Sequence, residues 1–82
     1  MNSNKKFKTS VRESDIAWMR KTISLLNDGG TWGIPRNRSV WKFYKSEKRA
    51  ELISGDPEDV TNLITKTILK EHLNWEVKTN DH

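Results

Sequence analysis

Two stretches of the chain repeat their apolar residues at helical spacing. The apolar face of the first stretch consists of Ile16, Met19, Ile23 and Leu26, widened by Trp18, Thr22 and Leu25. Ser10 and Glu13 have the spacing of a capping box, which predicts that the helix starts there and runs to about Asn27. Asp28-Gly29-Gly30 is expected to end it, because glycine adopts the left-handed C′ conformation at little cost.

The second helical stretch follows a strong start signal, Gly55-Asp56-Pro57-Glu58-Asp59. Asp56 is the predicted cap and Pro57 suits the first helical position, while the acids favour the positive end of the helix dipole. The helix is expected to run to roughly His72, with Leu69 almost opposite its apolar stripe. The predicted stripe consists of Val60, Leu63, Ile64, Thr67 and Ile68.

Between the two helices the pattern changes from helical spacing to alternation. Residues Thr31 to Ser39 are expected to form a connecting loop, since Gly33 and Pro35 interrupt regular structure. Two predicted strands follow, at 40–45 and 50–53, joined by a turn near 46–48 and paired with Phe43 facing Leu52. One face then holds Trp41, Phe43, Ala50 and Leu52, and the other holds Val40, Lys42, Tyr44, Glu51 and Ile53. Near the end of the chain, Trp75-Glu76-Val77 alternates and predicts a short third strand.

These elements predict an α+β fold of order α-β-β-α-β, with two helices packed on a two- or three-stranded antiparallel sheet. A chain of 82 residues fits one domain. We expect residues 1–9 to form a flexible basic arm, 10–78 the domain, and 79–82 a loose tail.

Composition narrows the classes of function. The chain has no Cys, so disulfides and thiolate metal sites are excluded, and no apolar run is long enough for a membrane span. The polar N-terminus lacks the features of a secretory signal. These features predict a protein of the cytoplasm, or of the host cell cytoplasm if the chain is viral, that binds no metal and no cofactor.

The charge is unevenly distributed along the chain. Residues 1–49 contain twelve Lys and Arg against four acids, whereas residues 50–82 contain three against seven. Basic residues interleaved with aromatic ones are typical of surfaces that follow phosphates and stack on bases. The predicted binding set is Lys5, Lys6, Lys8, Trp32, Arg36, Arg38, Lys42, Tyr44, Lys45, Lys48 and Arg49.

The segment Gly29-Gly30-Thr31-Trp32-Gly33-Ile34-Pro35-Arg36, with Val40-Trp41 after it, resembles small uncharacterised phage proteins. Those proteins have an amphipathic helix, a Gly-Gly-x-Trp-Gly-x-Pro-Arg segment, a strand pair and a closing helix and strand. In place of the Ser-Gly expected after Pro-Arg, this chain has Asn37-Arg38. The resemblance implies a viral origin and no particular activity.

Catalysis lacks support, because the chain has two His and none of the common nucleophile, zinc or phosphate-loop motifs. The sequence therefore predicts a phage-type accessory protein that binds DNA or RNA through its arm, loop and hairpin. The alternative is a modulator that binds an acidic host protein through the same surface. Leu69 and Leu73 suggest a contact patch for a homodimer.

Overall fold

The computed structural model describes residues 11–79. In chain order the elements are α1 (Glu13–Leu25), β1 (Gly30–Gly33), β2 (Val40–Tyr44), β3 (Arg49–Ser54), α2 (Val60–Thr67) and β4 (Glu76–Lys78). A 3₁₀ turn, Lys45–Glu47, joins β2 to β3, and a π-helical turn, Ile68–His72, continues α2. The α+β class is confirmed, and the predicted third strand is present as β4.

The sheet is larger than predicted and mixed. Its four strands lie in the order β1-β2-β3-β4, antiparallel except for β3 and β4, which run parallel. The prediction of a loop over 31–39 was wrong at its start, because Gly30–Gly33 pairs with β2. The prediction of a purely antiparallel sheet was also wrong. The helical connection returns the chain to the start of β3, so β4 runs in the same direction.

The faces of β2 and β3 were predicted correctly, but their register was not. Trp41, rather than Phe43, lies opposite Leu52, and Phe43 lies opposite Ala50. The difference is two residues, so each side chain stays on its predicted face. All four of these side chains are buried. The turn sets the register, with Lys48 in the left-handed conformation at φ 50°.

One face of the sheet carries the hydrophobic core, to which both helical segments contribute. Its buried members are Met19, Ile23, Ile34, Trp41, Phe43, Ala50, Leu52, Ile68 and Leu69. The other face carries the alternate residues of the strands and is partly open to solvent.

The second helix is turned about its axis relative to the prediction. Its buried residues are the polar Asn62 and Thr65, whereas Val60 is 62% exposed. Leu69 was predicted to lie opposite the buried stripe and is instead fully buried. It follows Thr65 by four residues and so shares its face. Because Leu69 belongs to the core, the predicted homodimer patch of Leu69 and Leu73 is wrong.

The caps of the helices also differ from the prediction. Asp59, not Asp56, caps α2 and accepts a hydrogen bond from the Thr61 backbone N–H at 2.9 Å. In α1, the Asp15 carboxylate accepts from the backbone N–H of Arg12 at 3.3 Å. Ser10 lies outside the described residues.

The predicted basic arm, including Lys5, Lys6 and Lys8, lies outside the described residues, as do residues 80–82 of the tail. Within 11–79, no helix has the length and apolar character needed to cross a membrane.

Candidate functional site

A cleft of about 360 Å³ opens between α1 and α2 at the end of the sheet where β1 turns into β2. Its lining is mostly apolar, with Asp15 and Arg36 as its charged members. The lining residues are Asp15, Trp18, Met19, Trp32, Ile34, Pro35, Arg36, Thr61, Ile64, Thr65 and Ile68. The most distinctive segment of the sequence, 32–36, thus supplies four of them. This volume lies at the lower end of the range of known binding sites, roughly 300–1,000 Å³.

Two tryptophans lie against each other in this cleft. The ring centroids of Trp18 and Trp32 are 5.4 Å apart with an interplanar angle of 54°, and Trp32 contacts Phe43 in the core at 6.2 Å. Trp32 lies opposite Trp41 in the register, which puts it on the core face of the sheet. Trp18 is 53% exposed. Aromatic packing therefore continues from the core to the surface at this point.

The turn between β1 and β2 is fixed to α2. Asn37 donates from Nδ2 to the Asp59 carboxylate at 2.9 Å and accepts from the Ser39 backbone N–H at 3.0 Å. The first of these bonds, together with that from the Thr61 N–H, lowers the pKa of Asp59 below its ordinary value. Arg36 and Arg38 project from this turn into solvent, and no ion pair holds either of them within residues 11–79.

The structure separates the other predicted basic residues from this turn. Lys45 and Lys48 lie at the far end of β2, roughly 13 Å away at the ~3.3 Å rise per residue of a strand. Lys45 is held in a structural contact, because its Nζ donates to the carbonyl oxygen of Leu26 at 2.7 Å, just after α1 ends. Lys48 is exposed at the turn.

On the open face of the sheet, Tyr44 lies beside two cations. The Arg49 guanidinium carbon is 4.0 Å from the centroid of the Tyr44 ring, and the Lys42 Nζ is 5.1 Å from it. Arg49 also bonds to Glu47 at 2.9 Å, and this bond raises the pKa of the guanidinium. The ring surface that a nucleic-acid base would need is therefore partly occupied by Arg49.

The charges of this face nearly cancel. Lys42 lies opposite Glu51 in the register, and Arg49 lies opposite Glu76. Lys78 approaches Glu51 at 4.0 Å. A phosphate backbone crossing the sheet would thus meet carboxylates beside each cation.

Within residues 11–79 no group of three His, Cys, Asp or Glu is placed to hold a metal ion. Comparison with protein families, with curated proteins and with solved structures finds no match for this chain. The resemblance to phage proteins therefore stays a prediction.

Sequence reasoning missed two surface residues beside the predicted site, Trp18 and Val60. Both were assigned to buried helical faces. Val60 precedes Ile64, which lines the cleft, by one helical turn, so the two residues lie on the same side of α2. The sequence contains one signal for this orientation. Besides its apolar stripe, α2 carries the polar residues Asn62 and Thr65 on another face, and that is the face it buries.

Proposed function

We propose that this chain is a non-enzymatic binding domain whose cleft receives an apolar ridge of a partner protein. The observation that carries the proposal is the orientation of α2. This helix buries Asn62 and Thr65 and leaves Val60 exposed and Ile64 on the cleft wall.

That orientation is stabilised by hydrogen bonds on the buried side. Asn62 accepts from the Trp41 indole N–H at 3.1 Å and donates to the Ser39 hydroxyl at 2.7 Å and to the Asp56 carbonyl at 2.8 Å. The polar side of α2 has its hydrogen-bond partners inside the fold. The helix leaves Val60 exposed, and its Ile64 lines the same cleft as the exposed Trp18. Exposed apolar residues around an apolar cleft are typical of interaction sites.

The residues around the cleft indicate the chemistry of the partner. A surface of Trp18, Trp32 and Ile64 is suited to an apolar ridge, since tryptophan is enriched among the residues that contribute most to binding. Arg36 and Arg38 project nearby without an ion pair in the described part of the chain, so carboxylates beside the ridge are favoured. An amphipathic, acidic helix lying in the groove between α1 and α2 has these properties.

Nucleic acid was the leading expectation from sequence and is the second candidate. It is favoured by the pair of cations at Tyr44. The carboxylates of Glu47, Glu51 and Glu76 on or beside the same face oppose phosphates, which is why we rank a protein partner first.

The experiment is an affinity capture of binding partners by the chain and by matched variants of it. The capture is repeated with nuclease and at moderate salt. Trp18→Ala should weaken capture by roughly 2 kcal/mol or more, which is about 30-fold in Kd, because it removes the exposed half of the aromatic pair. Val60→Glu should also weaken it, since a carboxylate then faces an acidic partner. Leu25→Ala is the matched control, because Leu25 is 76% exposed at the other end of α1.

The proposal is supported if the same captured protein is lost with Trp18→Ala and with Val60→Glu but is retained with Leu25→Ala. Capture that survives both cleft variants contradicts it. Capture that nuclease abolishes, and that falls steeply with salt, favours nucleic acid instead.

A further inference from the structure

Asp15 is the acid of the cleft, and much of its hydrogen-bonding capacity is unused in the described part of the chain. Its carboxylate accepts one bond, from the backbone N–H of Arg12 at 3.3 Å, whereas an ionised carboxylate offers about four lone-pair sites. No ion pair holds it within residues 11–79. Asp15 is half-buried in the cleft wall, and a partly buried charge is stabilised by an opposite charge beside it. Its carboxylate is therefore suited to a cation from outside the chain.

The exposed ring of Trp18 lies beside this carboxylate. Asp15 and Trp18 are three residues apart on α1, so they are neighbours on the helix surface, and both line the cleft. Trp18 contacts Trp32 at a centroid distance of 5.4 Å, yet about half of the residue stays open to solvent. Tryptophan is the aromatic side chain whose face attracts a cation most strongly. A cation in the cleft can therefore contact the Trp18 ring and the Asp15 carboxylate together.

The other charge of the cleft, Arg36, restricts which partners can use this pair of residues. Asp15 and Arg36 line the same cleft without forming an ion pair with each other. Each of them is therefore left for an opposite charge of the partner. A partner with charges of one sign is repelled by one of the two residues, whereas a partner with both signs in the right order is attracted by both.

We propose that Asp15 and Trp18 together bind one lysine or arginine of the partner helix, while Arg36 faces its carboxylates. This specificity rests on the proposed function, because it names the charges that the partner of the cleft carries. The two contacts also fix the register of the partner helix in the groove, since a shift by one helical turn of about 5.4 Å separates both pairs of charges.

The other acid in the first turn of α1, Glu13, lies on another side of the helix. Two residues of an α-helix are about 200° apart around its axis, so Glu13 does not share the face of Asp15. It lines a separate depression with Ile16 and His72. Glu13 therefore provides a matched control, because its removal changes the net charge of the same turn and leaves the cleft intact.

The test measures the binding of synthetic helical peptides to the full chain by isothermal titration calorimetry. Each peptide has a leucine stripe at helical spacing, glutamates along one side of it, and one lysine that is moved in successive peptides along the other side. A matched peptide has glutamine in place of the lysine. At one lysine position the wild type should bind about 5- to 10-fold more tightly than it binds the glutamine peptide, through an exposed cation–π contact and an exposed ion pair. Equal affinity at every lysine position overturns the proposal but not the proposed function, whereas a wild type that binds none of the peptides overturns both.

Variants assign the preference for lysine to named side chains. Asp15→Asn keeps an acceptor for the Arg12 N–H and removes the charge, so the preference should fall to about 2-fold or less. Trp18→Leu keeps an apolar residue and removes the ring, and it should lower the preference as well. Glu13→Gln should leave the preference unchanged, and circular dichroism melts show that each variant is folded. A preference that survives Asp15→Asn or Trp18→Leu, or that Glu13→Gln reduces equally, overturns the proposal.

Discussion

The hydrogen-bond network of Asn62 gives the sharpest prediction for stability. Asn62 is 1% exposed, and it accepts from the indole N–H of Trp41, which is fully buried. It also donates to Ser39, which is 1% exposed. Asn62→Leu fills nearly the same space and removes all of these bonds. The Trp41 N–H and the Ser39 hydroxyl are then left in an apolar site without their partner.

The expected cost follows from those orphaned groups. A buried donor or acceptor without a partner costs about 1–3 kcal/mol. The Asp56 carbonyl keeps its bond from the Asp59 N–H and adds little. We therefore expect Asn62→Leu to lower the free energy of unfolding by roughly 2–4 kcal/mol, with a fall in Tm of about 10–20 °C. Urea unfolding monitored by circular dichroism measures it.

A double-mutant cycle tests whether loss of the hydrogen bond between Trp41 and Asn62 causes part of this destabilisation. Trp41→Phe alone removes the indole N–H, leaves a cavity and deprives the Asn62 amide oxygen of its donor. In the Asn62→Leu background the same change removes the orphaned indole N–H, and only the Ser39 hydroxyl stays without its partner. The two changes together should therefore cost less than the sum of the single changes by about 1–2 kcal/mol. Asn27→Leu, at an exposed position, is the control. Unchanged urea midpoints for Asn62→Leu, or additive costs in the cycle, would refute the reasoning.

Two further predictions concern neighbours of this network. Gly55 has φ 130°, and a Cβ there would overlap the Ser39 side chain, so Gly55→Ala should destabilise by about 1–3 kcal/mol in urea melts. Gly33→Ala should be close to neutral, because the nearest atom to its Cβ lies at 4.0 Å, and equal midpoints for the two variants would count against the argument. The lowered pKa of Asp59 stabilises the fold above the ordinary aspartate pKa, and that contribution is lost as pH falls through the lower value. Asp59→Asn should remove this contribution, so the free energy of unfolding should fall less steeply between about pH 5 and pH 2 than in wild type. An unchanged dependence on pH would show that Asp59 is not its source.

The sequence predicted those elements whose local preference agrees with their final environment. The α1 stripe of Met19 and Ile23 is buried as expected, and Trp41 and Phe43 alternate into the core. β1 was missed because Gly30 and Gly33 disfavour a strand in isolation. Pairing along β2 supplies the stability that local propensity lacks.

The orientation of α2 could not be predicted, because the apolar stripe of a helix normally faces the core. Here the indole N–H of Trp41 requires an acceptor within the core, and Asn62 supplies it. That requirement depends on a contact between residues 21 positions apart, which helical periodicity does not report. The π-helical turn then lets both Ile68 and Leu69 reach the core, although they are adjacent in sequence.

Two residues of the predicted binding set, Trp32 and Arg36, line the cleft, but the sequence did not predict the cleft itself. Carboxylates lie beside the cations on the open face of the sheet, whereas within residues 11–79 no ion pair holds Arg36 or Arg38. This turn borders both the cleft, through Arg36, and the uncharged edge of β1. The opposite edge is protected by Glu76 and Lys78. Within residues 11–79, the exposed Trp18 and the two arginines without an ion pair therefore lie on the β1 side of the molecule, beside the cleft.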